Sequence, residues 1–248
     1  MIPAHLAVDA GRVTWTSRPP VVLRRTGTAR VHLVQVGGGP LGGDELGLEV
    51  VVGPGQHLEL RSAAATVVQP GREPGAAATF VVTASVADGG SLVWRPEPTV
   101  VIDGAAWDVR LRLDLAADAA ATVVEQVVLG RAGQDGGRVA STLDVRVGGR
   151  PLLVTTTHLD GADPALTGPG GTAGARSVGT VLRAGPDVAG DDATGGGSDV
   201  LWARSPLAGP GSLLTALGTP RAVSGVLDGA LGALSAQRCS GDRGTRAS

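Results

Sequence analysis

Hydrophobic and polar residues alternate along much of the first two thirds of the chain. Leu46, Leu48, Val50 and Val52 take every second position, with Glu45 and Glu49 among the residues between them. A period of two is the mark of a strand with one face in a core and the other toward water. Gly53-Pro54-Gly55 interrupts the pattern, and it resumes at His57-Leu58-Glu59-Leu60. Similar runs cover 31–36, 79–86, 91–94, 99–102, 107–115, 122–129, 138–147 and 151–157, and 199–203 reads as a returning strand. Turn residues punctuate them: Asp88-Gly89-Gly90, Asp103-Gly104, the glycines of 133–137, and Gly148-Gly149. Leu213, Leu214 and Leu217, then Val223, Val226, Leu227, Ala230, Leu231 and Leu234, recur at helical spacing. This spacing predicts helices within 211–236, the last opened by Pro220 and closed by Arg238. The expectation is a mainly β protein of stacked or sandwich-like sheets, built from many short strands, with one or two C-terminal helices. A single domain over 1–239 would carry a flexible low-complexity loop at 185–198, and 240–248 would form a disordered tail.

One stretch competes with this reading. In VHLVQVGGGPLGGDELGLEVVVGP, Gly37, Gly39 and Gly42 have the spacing G-x-G-x-x-G after an apolar run. A dinucleotide-binding loop needs a helix after these glycines, because the amides at its N-terminus bind the pyrophosphate. Here a period-two segment follows, Pro40 lies inside the motif, and no βαβ unit surrounds it. The glycines are better read as a tight crossing between strands, where positive φ and close backbone approach are needed.

Composition narrows the possibilities. Hydrophobic residues make up 42 % of 248 residues, enough for a core, but there is one Phe and no Tyr. Val, Leu and Ala must fill it, with Trp15, Trp94, Trp107 and Trp202. All 21 basic residues are Arg, and Lys and Asn are absent. Base composition of the genome accounts for that better than selection for function does. The formal charge of -2 carries no basic block, which argues against nucleic-acid binding. The lone Cys239 excludes an internal disulfide and a cysteine-based zinc site. No secretory signal or apolar run of membrane-spanning length is read, so a cytoplasmic protein is expected.

No catalytic set assembles from the sequence. There is no G-x-S-x-G elbow and no H-E-x-x-H, and His5, His32, His57 and His158 are scattered. His57 and Glu59 would share a strand face, either as a metal pair or as part of a solvated surface. More informative are acids inside apolar, strand-like context: Asp44, Glu97 and Glu125. A carboxylate there is costly unless it is paired, hydrated or facing a polar channel. Pairing with an arginine and lining a path for a cation are both open readings.

Four blocks in order resemble the urease accessory protein D (also called H) family, scaffold proteins of nickel-urease maturation. They are HLVQVGGGPLGGDELGLEVVVGPG, LELRSAAATVV, SLVWRPEPTVVIDGA and VVEQVVLGRAGQDGGRV. The similarity spans about residues 10–160 and continues through GGRPLLVTTTHLDG, while the C-terminal third is only loosely similar. The resemblance implies a largely β scaffold with a few C-terminal helices and no enzymatic activity. It implies binding to apo-urease and to the F-type accessory protein, which recruits the G-type GTPase. It also implies delivery of nickel toward the urease active site through a water-filled tunnel. Asp44, Ser62, Thr66 and Glu125 match family positions that are candidates for the tunnel wall, and Glu97 is a further candidate. Asp44 and Glu125 would be transient nickel ligands, with no cofactor held tightly. Gly42, Gly43, Gly130 and Arg131 match the structural turns of the blocks. In Pro96-Glu97-Pro98-Thr99 the acid stands one place from the family pattern, which in a strand would turn it to the other face.

Chemistry is compatible with a conduit. Nickel binds imidazole and thiolate tightly, and isolated carboxylates and hydroxyls more weakly. Separated oxygen ligands therefore let an ion leave. Two other classes stay open: a β-sandwich carbohydrate hydrolase or lyase using Asp44 and Glu125 as paired carboxylates, and a structural β module. Leu227, Leu231 and Leu234 of the last helix would either face a partner or pack on the sheet.

Overall fold

The alternating segments form strands, and the order in which they pair places the candidate site. The computed structural model describes residues 2–186, 188 and 191–241. The chain opens with β1 (Ala4–Asp9), β2 (Arg12–Thr16), β3 (Val21–Arg25) and β4 (Arg30–Gln35). Then follow β5 (Glu45–Val52), β6 (His57–Ser62), β7 (Thr66–Val68), β8 (Ala77–Val86), β9 (Ser91–Arg95) and β10 (Thr99–Val101). Four longer strands succeed them: β11 (Ala106–Leu115), β12 (Ala120–Leu129), β13 (Arg138–Val147) and β14 (Arg150–Asp160). A one-turn helix α1 (Pro164–Thr167) leads to β15 (Ser177–Ala184), β16 (Ala193–Gly196), β17 (Val200–Pro206), β18 (Gly211–Gly218) and helix α2 (Pro220–Gly241).

Two sheets result. One is seven-stranded in the order β14-β13-β11-β8-β5-β1-β2, and the other is eleven-stranded along β16-β17-β18-β15-β12-β9-β6-β4-β3, with β7 and β10 on a side branch. The middle of each is parallel: β5, β8, β11 and β13 in one, and β4, β6, β9 and β12 in the other. Parallel neighbours need a crossover. Here the crossover is a strand of the opposite sheet, so the chain coils through both layers and advances one strand per pass. Each strand then has one inward and one outward face, which is why the sequence alternates. Inward Leu48, Val50, Leu58, Leu60, Val82 and Leu113 are at most 1 % exposed and share one core with both sheets. The outward face of β11 carries the ion pairs Arg110–Asp108 and Arg112–Asp114.

Three expectations from the sequence need correction. Residues 211–218 form strand β18 and not a helix. Leu214 and Ala216 pack under α2 on one side, while Leu213 packs on the inter-sheet core on the other. A strand covered on both faces loses its period of two, so its leucines mimic helical spacing. The loop at 185–198 contains β16, which pairs with β17; residues 187, 189 and 190 lie outside the described residues. The tail expected from 240 onward lies outside the described residues from 242, and Ser240 and Gly241 continue α2. Leu227 is 3 % exposed and packs with Val124, Val181 and Val223 on the sheet, so it is not open to a partner. Leu231 is half-buried against the same cluster.

After the glycine cluster comes strand β5, as the period-two pattern requires. Gly42 is held where a Cβ would lie 2.5 Å from the Ala76 carbonyl oxygen and 2.7 Å from the Gly71 nitrogen. No side chain fits there. Its task is close approach of two backbones, not phosphate binding. Gly43 has φ +94 in open space, a conformation that glycine adopts without strain.

Candidate functional site

The site begins with a break in a sheet. The first half of β12 pairs with β9 as far as Val123↔Trp94, and its last residues pair with β10 from Val127↔Thr99. Between them Pro96-Glu97-Pro98 faces Val124-Glu125-Gln126 without ladder pairing. The two prolines have no N–H to give. The Glu97 amide donates instead to Ser62 Oγ (2.8 Å), and the Thr66 amide donates to the Pro98 carbonyl (3.0 Å). Ser62 Oγ in turn donates to the Ala64 carbonyl (3.0 Å). These bonds stand in for ladder pairs across the gap, yet the layer stays open.

A cavity of about 80 Å³ occupies this gap, walled by Leu60, Phe80, Trp94, Trp107 and Leu143 and by the polar Ser62, Thr66, Glu97, Glu125 and Ser141. On the order of five waters fit in such a volume. Glu97 lies between strands, not in one, so the face argument from its sequence shift does not apply; it is exposed at the cavity's outer side. Ser62 is buried and Thr66 half-buried.

Glu125 comes from the inward side of β12, between Val123 and Val127. It reaches across the inter-sheet space to Ser141 of β13, whose Oγ is 2.7 and 2.8 Å from the two carboxylate oxygens. Burial pushes the Glu125 carboxyl above its ordinary range, and the hydrogen bond from Ser141 only partly opposes this. No arginine pairs with it in the structure's ion pairs among the described residues. Glu125, Ser141 and Leu143 also wall a second cavity, of about 360 Å³, whose other side carries Thr155, Thr157, His158, Thr172, Thr180 and Thr215. A third, of about 70 Å³, shares Leu33, Gln35, Ser62 and Thr66 with the first and reaches the exposed Ala63, Ala64 and Ala65. A fourth, of about 720 Å³, shares His158, Leu159, Leu166 and Gly171 with the second and adds Asp108, Asp160 and Asp163. The third, first and second cavities thus adjoin one another between the sheets, with Glu125 in the wall between the first and second, while the fourth is an open depression at the surface beside the second.

The other candidates are placed differently. Asp44 lines neither cavity that Glu125 borders. It follows Gly42-Gly43 at a turn, and its carboxylate accepts the Leu41 amide (2.9 Å), closing that turn locally. Asp44 and Glu125 are therefore not a carboxylate pair. Gly130 has φ +65 at the end of β12, and Arg176 donates to the Leu129 and Arg131 carbonyls around it, so Gly130-Arg131 is a clamped turn. His57 meets Ser91 Oγ (2.9 Å). Glu59 is bound by Arg30 and Arg61. Burial works to raise its pKa, but these hydrogen bonds and charges outweigh it and hold the carboxyl below its ordinary range. Among the described residues, no group of three or more His, Cys, Asp or Glu side chains is placed to hold a metal ion. No helix among them is long and apolar enough to cross a membrane.

Sequence reasoning missed Ser141 and the threonines of the second cavity. Ser141 stands at an inward position of β13, in step with Val139, Leu143 and Val145. A hydroxyl at an apolar step of an alternating strand was the signal.

The profile of the UreD urease accessory protein family matches residues 13–231. The urease accessory protein UreD of Parafrankia sp. (strain EAN1pec) is 41 % identical over 222 residues, covering 80 % of this chain and 74 % of the relative. That of Frankia alni is 44 % identical over 206 residues, covering 77 % and 68 %. That of Streptomyces coelicolor is 38 % identical over 222 residues, covering 87 % of each. With the family profile spanning most of the chain and relatives at this identity, the chain belongs to the UreD urease accessory protein family.

Proposed function

We propose that this chain is a non-catalytic scaffold of urease maturation that passes nickel along the inter-sheet cavities. It binds apo-urease and the F-type accessory protein, which brings the G-type GTPase, and it works in the cytoplasm where urease is assembled. The observation that carries this reading is the row of cavities meeting at Glu125, whose carboxylate reaches across the space between the sheets. Ser62, Thr66 and Glu97 supply oxygen atoms on the outer side, and the threonines supply them on the inner side. Such ligands are sparse and of modest affinity for nickel, so an ion is attracted without being held. Nickel is cargo in this scheme, and no resident cofactor is required. Asp44 supports its turn and stands outside the route.

The test is nickel loading of apo-urease by the complete accessory set, with wild-type chain and with Glu125→Leu. The variant is expected to be retained with apo-urease and the F-type protein in pull-downs but to activate urease at least about tenfold more slowly, the loss of one charge-assisted ligand. Failure of the wild-type chain to retain either partner would overturn the scaffold reading. Unchanged loading by Glu125→Leu would overturn the conduit.

A further inference from the structure

We propose that Ser141 latches the conduit: its hydroxyl, within hydrogen-bonding distance of both oxygens of Glu125, closes the partition between the two central cavities. The inference rests on the conduit reading of the same site. Glu125, Ser141 and Leu143 are the residues shared by the two cavities, so together they form the wall between them. Glu125 comes from one sheet and Ser141 from the other, and the 2.7 and 2.8 Å contacts bridge the layers at this wall. A cation approaching from either side meets a carboxylate already engaged by a donor. It must part this contact before it can pass between the two residues. A hydrogen bond to an ionised group is among the stronger ones in a protein interior. Displacing it is therefore the slow step of transfer, and the residue that sets its height is Ser141. The neighbouring Leu143 is buried and contributes bulk without chemistry.

A latch and a merely structural hydroxyl predict opposite signs. Ser141→Ala removes the donor and one heavy atom from the wall. Ser141→Thr keeps the donor and adds a methyl group. Urease loading is measured with saturating nickel and, separately, over a nickel series, with a thermal melt of each variant. Ser141→Ala is expected to lower Tm and yet raise the maximal loading rate by about ten- to a hundredfold, the range of one hydrogen bond to a charged group, with the half-saturating nickel concentration little changed. Ser141→Thr is expected to load more slowly than wild type. If Ser141→Ala loads at the wild-type rate or more slowly while remaining folded, the latch is overturned. Equal rates for Ser141→Ala and Ser141→Thr overturn it as well. If Glu125→Leu leaves loading unchanged in the same assay, the conduit fails, a result distinct from failure of the latch alone.

Discussion

A carboxyl facing internal cavities, with no cation paired to it among the described residues, sets the residue scale. Glu125 is confined between sheets, and its carboxyl titrates above the ordinary value of 4.5. Below that value the group is protonated in both folded and unfolded chains and leaves stability unaffected. Between it and the raised folded value, the folded chain holds the proton and the unfolded chain does not. Above both, the ionised group is penalised only in the fold. The contribution of Glu125 to stability is therefore lost as pH rises from the ordinary value through the folded one. Glu125→Gln removes this dependence. We predict that its Tm advantage over wild type is small near about pH 4 and widens as the pH rises above that, measured as the difference between the two melts at each pH. A constant difference would show that burial does not perturb the carboxyl. The sequence made Glu125 legible, because an acid at an inward step of an alternating strand is anomalous. Asp44 looked equally suggestive, yet it follows two glycines at a turn. An acid in that place accepts a nearby amide and need not face a channel.

Elements were legible where one face meets water. The strands around Leu46, Val82, Leu111 and Leu143 declare themselves by alternation. Residues 211–218 do not, because their two faces are covered by different apolar partners, the inter-sheet core and α2. Period alone cannot distinguish such a segment from a helix. Helix α2 starts at Pro220, and Thr219 caps it through its carbonyl, which accepts the Val223 amide (3.0 Å). Polar contacts also fix it to β12: Gln126 Nε2 donates to the Pro220 carbonyl (2.8 Å), and Ser224 Oγ donates to Gln126 Oε1 (2.9 Å). Val223 and Leu227 then seal the apolar side. Leu227→Ala should cost about 3 kcal/mol, a fall in Tm of roughly 6–12 °C. A thermal melt that moved by less than about 2 °C would mean that α2 is not anchored through this side chain.

The coil of the whole molecule was not legible. Alternation reports that a strand has two different faces, but it does not say which distant strand lies beside it. The pairing of β5 with β8 and of β8 with β11 passes through strands of the other sheet, and no local pattern records it. The same coiling stacks 63–65, Pro96-Glu97-Pro98 and Glu125 at one corner, which lines up the cavities. In the proposed conduit they would act in series. In a series path the slowest constriction sets the rate, and a second obstacle adds little once the first dominates. Ala64 is exposed where the outermost cavity reaches the surface, so Ala64→Trp should obstruct the path while leaving Tm within about 1 °C, as for an exposed position. Both Ala64→Trp and Glu125→Leu should slow nickel loading. The double variant should match the slower single variant and not the product of the two effects. Effects that multiply would instead place the two residues at independent steps. The corner and the inter-sheet carboxylate would then not belong to one route.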